Sequence, residues 1–303
     1  MSSQIKVQLS LPQESVGWRE KVKGLWQMIR ADKPFGIFLL LWPALWALWI
    51  AGEGNPNWYV TLVFILGLLL VRSAGCAVTE YADRRGSKRK IKSCSKPVAM
   101  GIVKPWEAMV LMAILFLIVV FLLFTLNLST LLLSVIALLL SMVYAWSRRF
   151  THFSQVVSAA IFAWIVPLSF AAVENNQVPV IVLLYVTAFV WVLIYEIEHS
   201  FSQMNTDLIY GTKTLPIFFG DRTLHLLVGL QLSLVIALLV IGNLTDRSWF
   251  YFITISLSSL FLVRQHQLMR KDKMNGAYLA YLNNNCFAMV IFLIILIDYV
   301  ITA

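Results

Sequence analysis

Nine apolar stretches recur along the chain, and short polar breaks separate them. A bilayer core about 30 Å thick needs roughly 20 apolar residues for each helical crossing. The stretches therefore predict nine transmembrane helices. Their approximate bounds are 35–52, 58–78, 107–125, 128–145, 155–173, 178–197, 224–243, 248–265 and 281–302.

The composition agrees with this pattern and excludes the soluble classes of protein. Hydrophobic residues make up 60% of the 303 residues, and charged residues only 13%. A soluble domain could not bury that much apolar surface, and a disordered or coiled-coil chain needs many more polar residues. We therefore expect an all-α polytopic membrane protein, with a single nine-helix domain at 35–303 after an N-terminal segment at 1–34.

The N-terminal segment is polar and lacks the apolar core of a cleavable signal peptide. Within it, Trp18, Val22, Leu25, Trp26 and Ile29 recur at helical spacing. This spacing is typical of an amphipathic helix that lies on a membrane surface, and we predict such a helix here.

Basic residues are concentrated in five segments, and their positions predict the orientation. Of the 24 Lys and Arg residues, 22 lie in 1–34, 79–106, 146–154, 198–223 and 264–280. Nine crossings place all five segments on the same side, which the positive-inside rule makes cytoplasmic. The N-terminus is then cytoplasmic and the C-terminus lies outside. The net charge of +9 reflects this topology, and no nucleic-acid partner is expected.

Cysteine and histidine offer no pattern for metal binding. The 3 cysteines and 4 histidines form neither a CxxC pair nor a histidine pair at i, i+4. A zinc site and a disulfide framework are therefore disfavoured.

The first candidate site follows the second apolar stretch. If that helix continues, Glu80 and Asp83 share one face with Thr79 and Ser87. Carboxylates placed in this way can hold Mg²⁺, which prefers oxygen ligands, and the many basic residues of 84–96 suit an anionic head group. The alternative is an ordinary basic loop that contacts anionic lipid.

The second candidate site follows the sixth apolar stretch. There Glu196, Ser200, Gln203 and Asp207 fall on one helical face, with Glu198 beside them. Ionisable residues at this depth are costly and indicate function. The alternative is a helix end that emerges among lipid head groups, where a carboxylate is solvated at little cost.

Two further groups of polar residues have simpler explanations available. Arg30, Asp32 and Lys33 precede the first apolar stretch, where a surface ion pair accounts for them. Three asparagines at 283–285 open the last stretch, where hydrogen bonds between helices compete with substrate contact as the explanation.

Several segments of the chain form recognisable motifs, namely 30–36 (R-A-D-K-P-F-G), 41–49, 72–78 leading into 81–84 (Y-A-D-R), 149–155 (R-F-T-H-F-S-Q), 164–167, 211–214 (G-T-K-T) and 283–285. These motifs resemble those of UbiA-type 4-hydroxybenzoate polyprenyltransferases, and the resemblance covers nearly the whole chain from about residue 24. The resemblance implies nine transmembrane helices around a central cavity, in a bacterial inner membrane.

The resemblance also implies a reaction and its residues. A polyprenyl group passes from polyprenyl diphosphate to 4-hydroxybenzoate in ubiquinone biosynthesis, with Mg²⁺ as cofactor, membrane lipids around the protein and ubiquinone-pathway enzymes as further partners. The metal ligands are Glu80, Asp83, Glu196 and Asp207, and the catalytic residues are Asp83, Glu80, Glu196 and Arg72. The substrate-binding residues are Arg30, Asp32, Lys92, Lys96, Tyr144, Arg148, Arg149, Lys213 and Asn284.

The chain departs from the family pattern at both acidic motifs. Thr79, Ser87, Gln203 and Thr206 stand where the family usually has Asn or Asp, and Glu80 and Glu196 replace aspartates. Lys92 and Lys96 replace arginines, and lysine cannot make the bidentate phosphate contact of arginine. A second hypothesis is therefore a catalytically weak or inactive paralogue that binds isoprenoid lipid or partner proteins. A transporter is disfavoured, because the polar residues lie at the ends of the stretches and not near the bilayer midplane.

Overall fold

A computed structural model describes residues 17–30, 35–83, 97–98, 100–147 and 151–302, and these residues are helical with no strands. The helices are α1 (Trp18–Met28), α2 (Phe35–Ala51), α3 (Trp58–Asp83), α4 (Pro105–Phe124), α5 (Leu128–Ser147), α6 (Ser154–Ala163), α7 (Ile165–Val173), α8 (Val178–Ser202), α9 (Met204–Tyr210), α10 (Leu215–Phe219), α11 (Thr223–Leu244), α12 (Trp249–Lys271) and α13 (Lys273–Thr302).

The all-helical membrane architecture is confirmed, whereas the count of nine crossings is not. Each of the nine apolar stretches falls on helix in the described part of the chain. Within that part, six helical segments are long and apolar enough to cross a membrane, and two shorter apolar helices lie at Gly36–Ala51 and Leu128–Tyr144. Large apolar side chains on the outer faces, such as Leu232 and Ile236 of α11, are exposed, as lipid contact requires. The chain is thus a multi-pass membrane protein.

The stretch predicted at 155–173 is interrupted at Trp164, where α6 ends and α7 begins. Pro167 accounts for the interruption, because it has no N–H to donate to the carbonyl of Ala163. The Trp164 N–H donates instead to the carbonyl of Ile161, three residues back, at 3.1 Å. The result is two short helices where the sequence pattern predicts one.

The short break at 126–127 is real, and Asn127 defines it. Its side-chain oxygen accepts a hydrogen bond from the backbone N–H of Thr130 at 2.9 Å and thereby caps the start of α5. Its side-chain nitrogen donates to the carbonyl of Ala171 at 2.6 Å and ties the turn to α7.

The described residues divide into two compact units. The first contains α1 and the parts of α3 and α4 within 70–118. Its small core contains Met28, Ala77, Val98, Val103 and Ala108. The predicted amphipathic helix is present as α1, which buries Gly24 and Met28 and leaves Trp18 and Trp26 exposed. Its place at a membrane surface stays a prediction.

The second unit contains 35–69 and the chain from 119 onward. Helix α8 lies at its centre and packs on α6, α7, α11 and α13, while α2 packs on α7 and α13. Bulky apolar side chains fill the space between these helices, among them Trp46, Trp191 and Phe287, which are fully buried. A set of closely packed helices thus surrounds α8, and the second candidate site lies at its C-terminal end.

A glycine permits the close approach of α12 and α13 where they meet at the 272 turn. A Cβ at Gly276 would lie 2.1 Å from the carbonyl oxygen of Leu268, which is backbone and cannot move aside cheaply. We expect Gly276→Ala to lower the free energy of unfolding by about 1–3 kcal/mol, as overpacking does. Thermal unfolding of the purified protein in detergent measures this. Gly229→Ala in α11 is the matched control, since a Cβ there meets nothing within 4 Å. Equal unfolding temperatures for the two variants would contradict the prediction.

Candidate active site

The second candidate site is interrupted at Gln203, which separates two helices. The sequence places Glu196 and Asp207 on one continuous face, but α8 ends at Ser202 and Asp207 lies on the short helix α9. The Gln203 N–H donates to the carbonyl of Ser200, three residues back, so the last turn tightens. The two carboxylates therefore belong to different helices, and their relative position depends on the turn between them.

Glu196 is half-buried near the C-terminal end of α8, and α6 packs beside it. The hydroxyl of Ser158 donates to Oε1 of Glu196 at 3.5 Å. One turn earlier in α6, Nε2 of Gln155 donates to Oγ of Ser200 at 3.0 Å. Helix α6 thus supplies two polar side chains to the α8 face that carries Glu196. Neither side chain is among the residues predicted from the motifs, although Gln155 closes the matching segment 149–155.

Asp207 and Lys213 lie on the segment between α8 and α10. Helix α9 ends at Tyr210, and the next residue, Gly211, has a φ of +66°, a left-handed conformation that glycine adopts without strain. The N–H of Thr212 then donates to the carbonyl of Asp207 at 2.8 Å. Asp207 is partly buried, whereas Lys213 is exposed. A carboxylate and an ammonium group therefore share one compact loop, which suits a metal-bound anion.

The three asparagines of α13 each bind a different neighbour. Asn283 donates to the carbonyl of Phe261 in α12 at 3.3 Å, and Asn285 accepts from Nε1 of Trp42 in α2 at 2.8 Å. Asn284 is fully buried and donates to Oε2 of Glu198 in α8 at 2.5 Å. Hydrogen bonds between helices thus explain all three residues. The predicted contact of Asn284 with substrate stays a prediction.

An aromatic row lines the α8 face toward α13. His199 lies 4.7 Å from Tyr281, measured between ring centroids, with the ring planes 37° apart. Tyr195, one turn earlier, lies 6.3 Å from the same ring and 5.0 Å from Trp191. The sequence analysis missed Tyr281, because nothing in its local spacing links it to α8.

The first candidate site is described only in part. Arg72 lies on α3 and is partly buried, and Glu80 and Asp83 belong to the last turns of that helix, although their side chains lie outside the described residues. Arg30 follows α1 with a left-handed φ of +53° and is exposed, and Tyr144 on α5 is partly buried. Asp32, Lys92, Lys96, Arg148 and Arg149 lie outside the described residues.

Metal binding can be judged only from the carboxylates whose side chains the structure describes. Within that part of the chain, no group of three or more His, Cys, Asp and Glu side chains lies close together. Glu196 and Asp207 supply hard oxygen donors, which fit a divalent cation such as Mg²⁺ in kind. Glu80 and Asp83 stay predicted ligands, because their side chains lie outside the described residues.

Comparison with known proteins gives a consistent result over nearly the full chain. The profile of the UbiA prenyltransferase family matches residues 40–296. A 4-hydroxybenzoate octaprenyltransferase of Aeromonas hydrophila is 35% identical over 273 residues, which cover 90% of this chain and 95% of the relative. The enzyme of the same name from Yersinia enterocolitica is 36% identical over 282 residues, covering 93% and 98%.

Solved structures share the fold at lower identity. A UbiA homologue from Aeropyrum pernix superimposes with a TM-score of 0.71 at 17% identity, covering 87% of this chain and 98% of its own. A UbiA homologue from Archaeoglobus fulgidus, bound to GPP and Mg²⁺, superimposes with a TM-score of 0.63 at 17% identity, covering 90% and 99%.

The fold and the carboxylate-bearing helix end define a polytopic α-helical membrane protein with a polar site at the end of a central helix. The matches to the family profile and to the curated relatives are more specific. The chain belongs to the UbiA prenyltransferase family.

Proposed function

We propose that this protein transfers a polyprenyl group from polyprenyl diphosphate to 4-hydroxybenzoate, a step in ubiquinone biosynthesis. The observation that carries the proposal is the end-to-end similarity to relatives named 4-hydroxybenzoate octaprenyltransferase, which covers at least 90% of both chains in the comparisons with Aeromonas and Yersinia. A similar fold that binds GPP and Mg²⁺ in another member of the family supports the donor class.

The proposed metal ligands are Glu80, Asp83, Glu196 and Asp207, whose carboxylate oxygens suit Mg²⁺. The bound cation would offset negative charge on the diphosphate leaving group. Around it, basic residues bind and orient the anionic groups of donor and acceptor, namely Arg30, Arg72, Lys92, Lys96, Arg148, Arg149 and Lys213. Asp32, Tyr144 and Asn284 complete the proposed substrate contacts.

The proposed reaction needs no reactant other than the prenyl donor and the aromatic acceptor. The allylic C–O bond breaks, and the electron pair leaves with diphosphate. The ring carbon ortho to the hydroxyl of 4-hydroxybenzoate forms the new C–C bond and then loses its proton, for which diphosphate is an available base. The packed helices keep water from the allylic cation while it exists.

The proposed setting is a bacterial inner membrane with a cytoplasmic N-terminus and a periplasmic C-terminus. Its support is the grouping of basic residues, since 22 of the 24 Lys and Arg lie in five segments that nine crossings would place on one side. The site would then face the cytoplasm. The charged diphosphate and carboxylate groups of the two substrates would reach it from the aqueous side of the membrane. Membrane lipids and other ubiquinone-pathway enzymes are the proposed neighbours.

The altered motifs favour one alternative, a catalytically weak or inactive paralogue that binds isoprenoid lipid or partner proteins. Ser87, Gln203 and Thr206 bring no negative charge to positions where the family pattern has aspartates. A site with fewer carboxylates binds Mg²⁺ more weakly, and Mg²⁺ tolerates poor octahedral geometry badly.

Purified protein decides between the two candidates. We expect the purified protein to form a prenylated product from 4-hydroxybenzoate and a polyprenyl diphosphate. The rate of product formation should rise with added Mg²⁺, and EDTA should abolish it. Adding Mg²⁺ back in excess over EDTA should restore the rate, which controls for damage by the chelator. No product at any Mg²⁺ concentration, from protein shown to be folded by its thermal unfolding transition, would contradict the proposal and favour the paralogue.

A further inference from the structure

Gln155 lies where three helices meet, beside the proposed site but outside the set of residues expected to touch substrate or metal. Its side chain is 4% exposed. Nε2 donates to Oγ of Ser200 near the end of α8 at 3.0 Å, and Oε1 accepts from the backbone N–H of Leu215 at the start of α10 at 3.3 Å. One amide therefore holds the end of one helix and the beginning of another.

The N–H of Leu215 needs this partner. The first N–H groups of any helix have no acceptor within the helix itself. Thr214, which precedes α10 in an extended conformation, makes no side-chain capping hydrogen bond. The amide oxygen of Gln155 therefore does the work of the missing cap, although it comes from a helix 60 residues away along the chain.

The two contacts of Gln155 close the base of one loop. The 201–214 loop consists of the last two residues of α8, helix α9 and the connection to α10, and it carries both Asp207 and Lys213. Ring contacts on the same side of α10 add to the closure, since Phe218 lies 5.9 Å from His152 and 5.4 Å from Phe153 between centroids. Farther along the loop, Ile209 is 81% exposed.

We propose that Gln155 is a positioning residue for the transfer reaction: its amide clamps the base of the 201–214 loop and thereby fixes Asp207 and Lys213 relative to Glu196. This inference rests on the proposed function, since that function assigns Asp207 and Lys213 their roles. Ser158 lies one turn after Gln155 in α6, and its hydroxyl donates to Glu196. The same helix therefore also holds the carboxylate of Glu196. Helix α6 thus sets the distance between the parts of the second site.

The matched test compares two buried glutamines. Gln155→Leu removes both hydrogen bonds of the clamp with little change in volume. Gln231→Leu is the control, because Gln231 is 5% exposed and its amide donates to Gln265 at 3.1 Å, which joins α11 to α12 and not α8 to α10. Both changes remove a buried amide hydrogen bond, so both lower general stability, but only the first opens the loop.

The first readout does not depend on activity. Trypsin cleaves after exposed Lys213, and the rate of the 213–214 cut is followed by mass spectrometry on native protein in detergent. We expect Gln155→Leu to speed this cut about 10-fold relative to Gln231→Leu, because local opening exposes the bond. Gln155→Glu should restore a rate near that of the unsubstituted protein, since a carboxylate accepts from both the Leu215 N–H and the Ser200 hydroxyl. Equal cutting rates for the two leucine variants would overturn the clamp.

The second readout is kinetic. We expect Gln155→Leu to raise the Mg²⁺ concentration at half-maximal rate about 10-fold, because misplaced ligands weaken the metal and diphosphate contacts before they affect the ring chemistry. Gln231→Leu should leave that concentration unchanged. A Gln155→Leu enzyme with an unchanged Mg²⁺ requirement would overturn the positioning role. If the unsubstituted protein shows no transfer, the proposed function fails, and the trypsin readout alone still decides whether the clamp exists.

Discussion

Asp83→Ala is expected to reduce the rate of prenyl transfer about 10²-fold or more, the size of effect seen when one preorganised electrostatic contact to a transition state is removed. Asp83 is the last residue of α3, and the resemblance described above predicts it to be the one member of the first acidic motif that keeps the family residue. Because Thr79 and Ser87 bring no charge to that motif, the loss of Asp83 leaves Glu80 as its only carboxylate. The rate of product formation at saturating donor and acceptor measures the effect.

The control for this prediction is a second aspartate with no proposed role. Asp221 forms an exposed ion pair with Lys273 at 2.8 Å, and Asp221→Ala should leave the transfer rate unchanged. Thermal unfolding of both variants shows whether they are folded. An undiminished rate for Asp83→Ala would contradict the metal-dependent mechanism and remove the first motif from the proposed site.

Asp298→Ala is expected to cost about 3 kcal/mol in the free energy of unfolding, the penalty for breaking a buried ion pair. Oδ2 of the fully buried Asp298 lies 3.6 Å from Nη1 of Arg247, whose side chain is 13% exposed. The Ser248 hydroxyl donates to the other carboxylate oxygen. Removing the carboxylate leaves a guanidinium almost out of water without its counter-charge. The midpoint of thermal unfolding in detergent measures the loss.

Two comparisons sharpen the stability prediction. Asp221→Ala breaks an ion pair whose side chains are 60% and 93% exposed, and it should not shift the midpoint measurably, because water screens that pair. Adding Arg247→Met to Asp298→Ala should recover part of the loss, since removing both charges avoids the unpaired cation. Arg247 would still lose its contact with the Tyr299 ring at 3.7 Å, so recovery should be partial. An Asp298→Ala protein as stable as the unsubstituted one would contradict this account.

The helices could be predicted closely because a bilayer leaves the backbone few choices. Apolar residues in hydrocarbon must satisfy their N–H and C=O groups within the segment, so an apolar stretch becomes a helix. The stretch predicted at 58–78 corresponds to α3, which begins at Trp58. The turn predicted at 52–57 lies between α2 and α3, as expected. The interruption at Trp164 was missed, although Pro167 is a local signal that was available in the sequence.

The sequence predicted which residues could form the candidate site but not how they are arranged in space. Spacing alone indicated Glu196 and Asp207 as possible ligands, but it placed them on one helical face. The turn at Gln203 separates them, and the spacing of polar residues along the chain does not reveal that turn. Gln155, Ser158 and Tyr281 contribute to the surroundings of α8 from positions 38 or more residues away from their partners, as the Ser158 contact with Glu196 illustrates.

By itself the sequence determined that this protein is an all-helical membrane protein, which segments are helical, and which family supplies its proposed reaction. These properties follow from local composition and from motifs read in order along the chain. Only the tertiary structure decided that Asn284 binds Glu198, that Gln155 joins Ser200 to Leu215, and that Asp298 faces Arg247. Such pairs depend on how helices pack against one another. A buried polar group must find a partner at whatever sequence distance that packing provides, because water is not available to replace it.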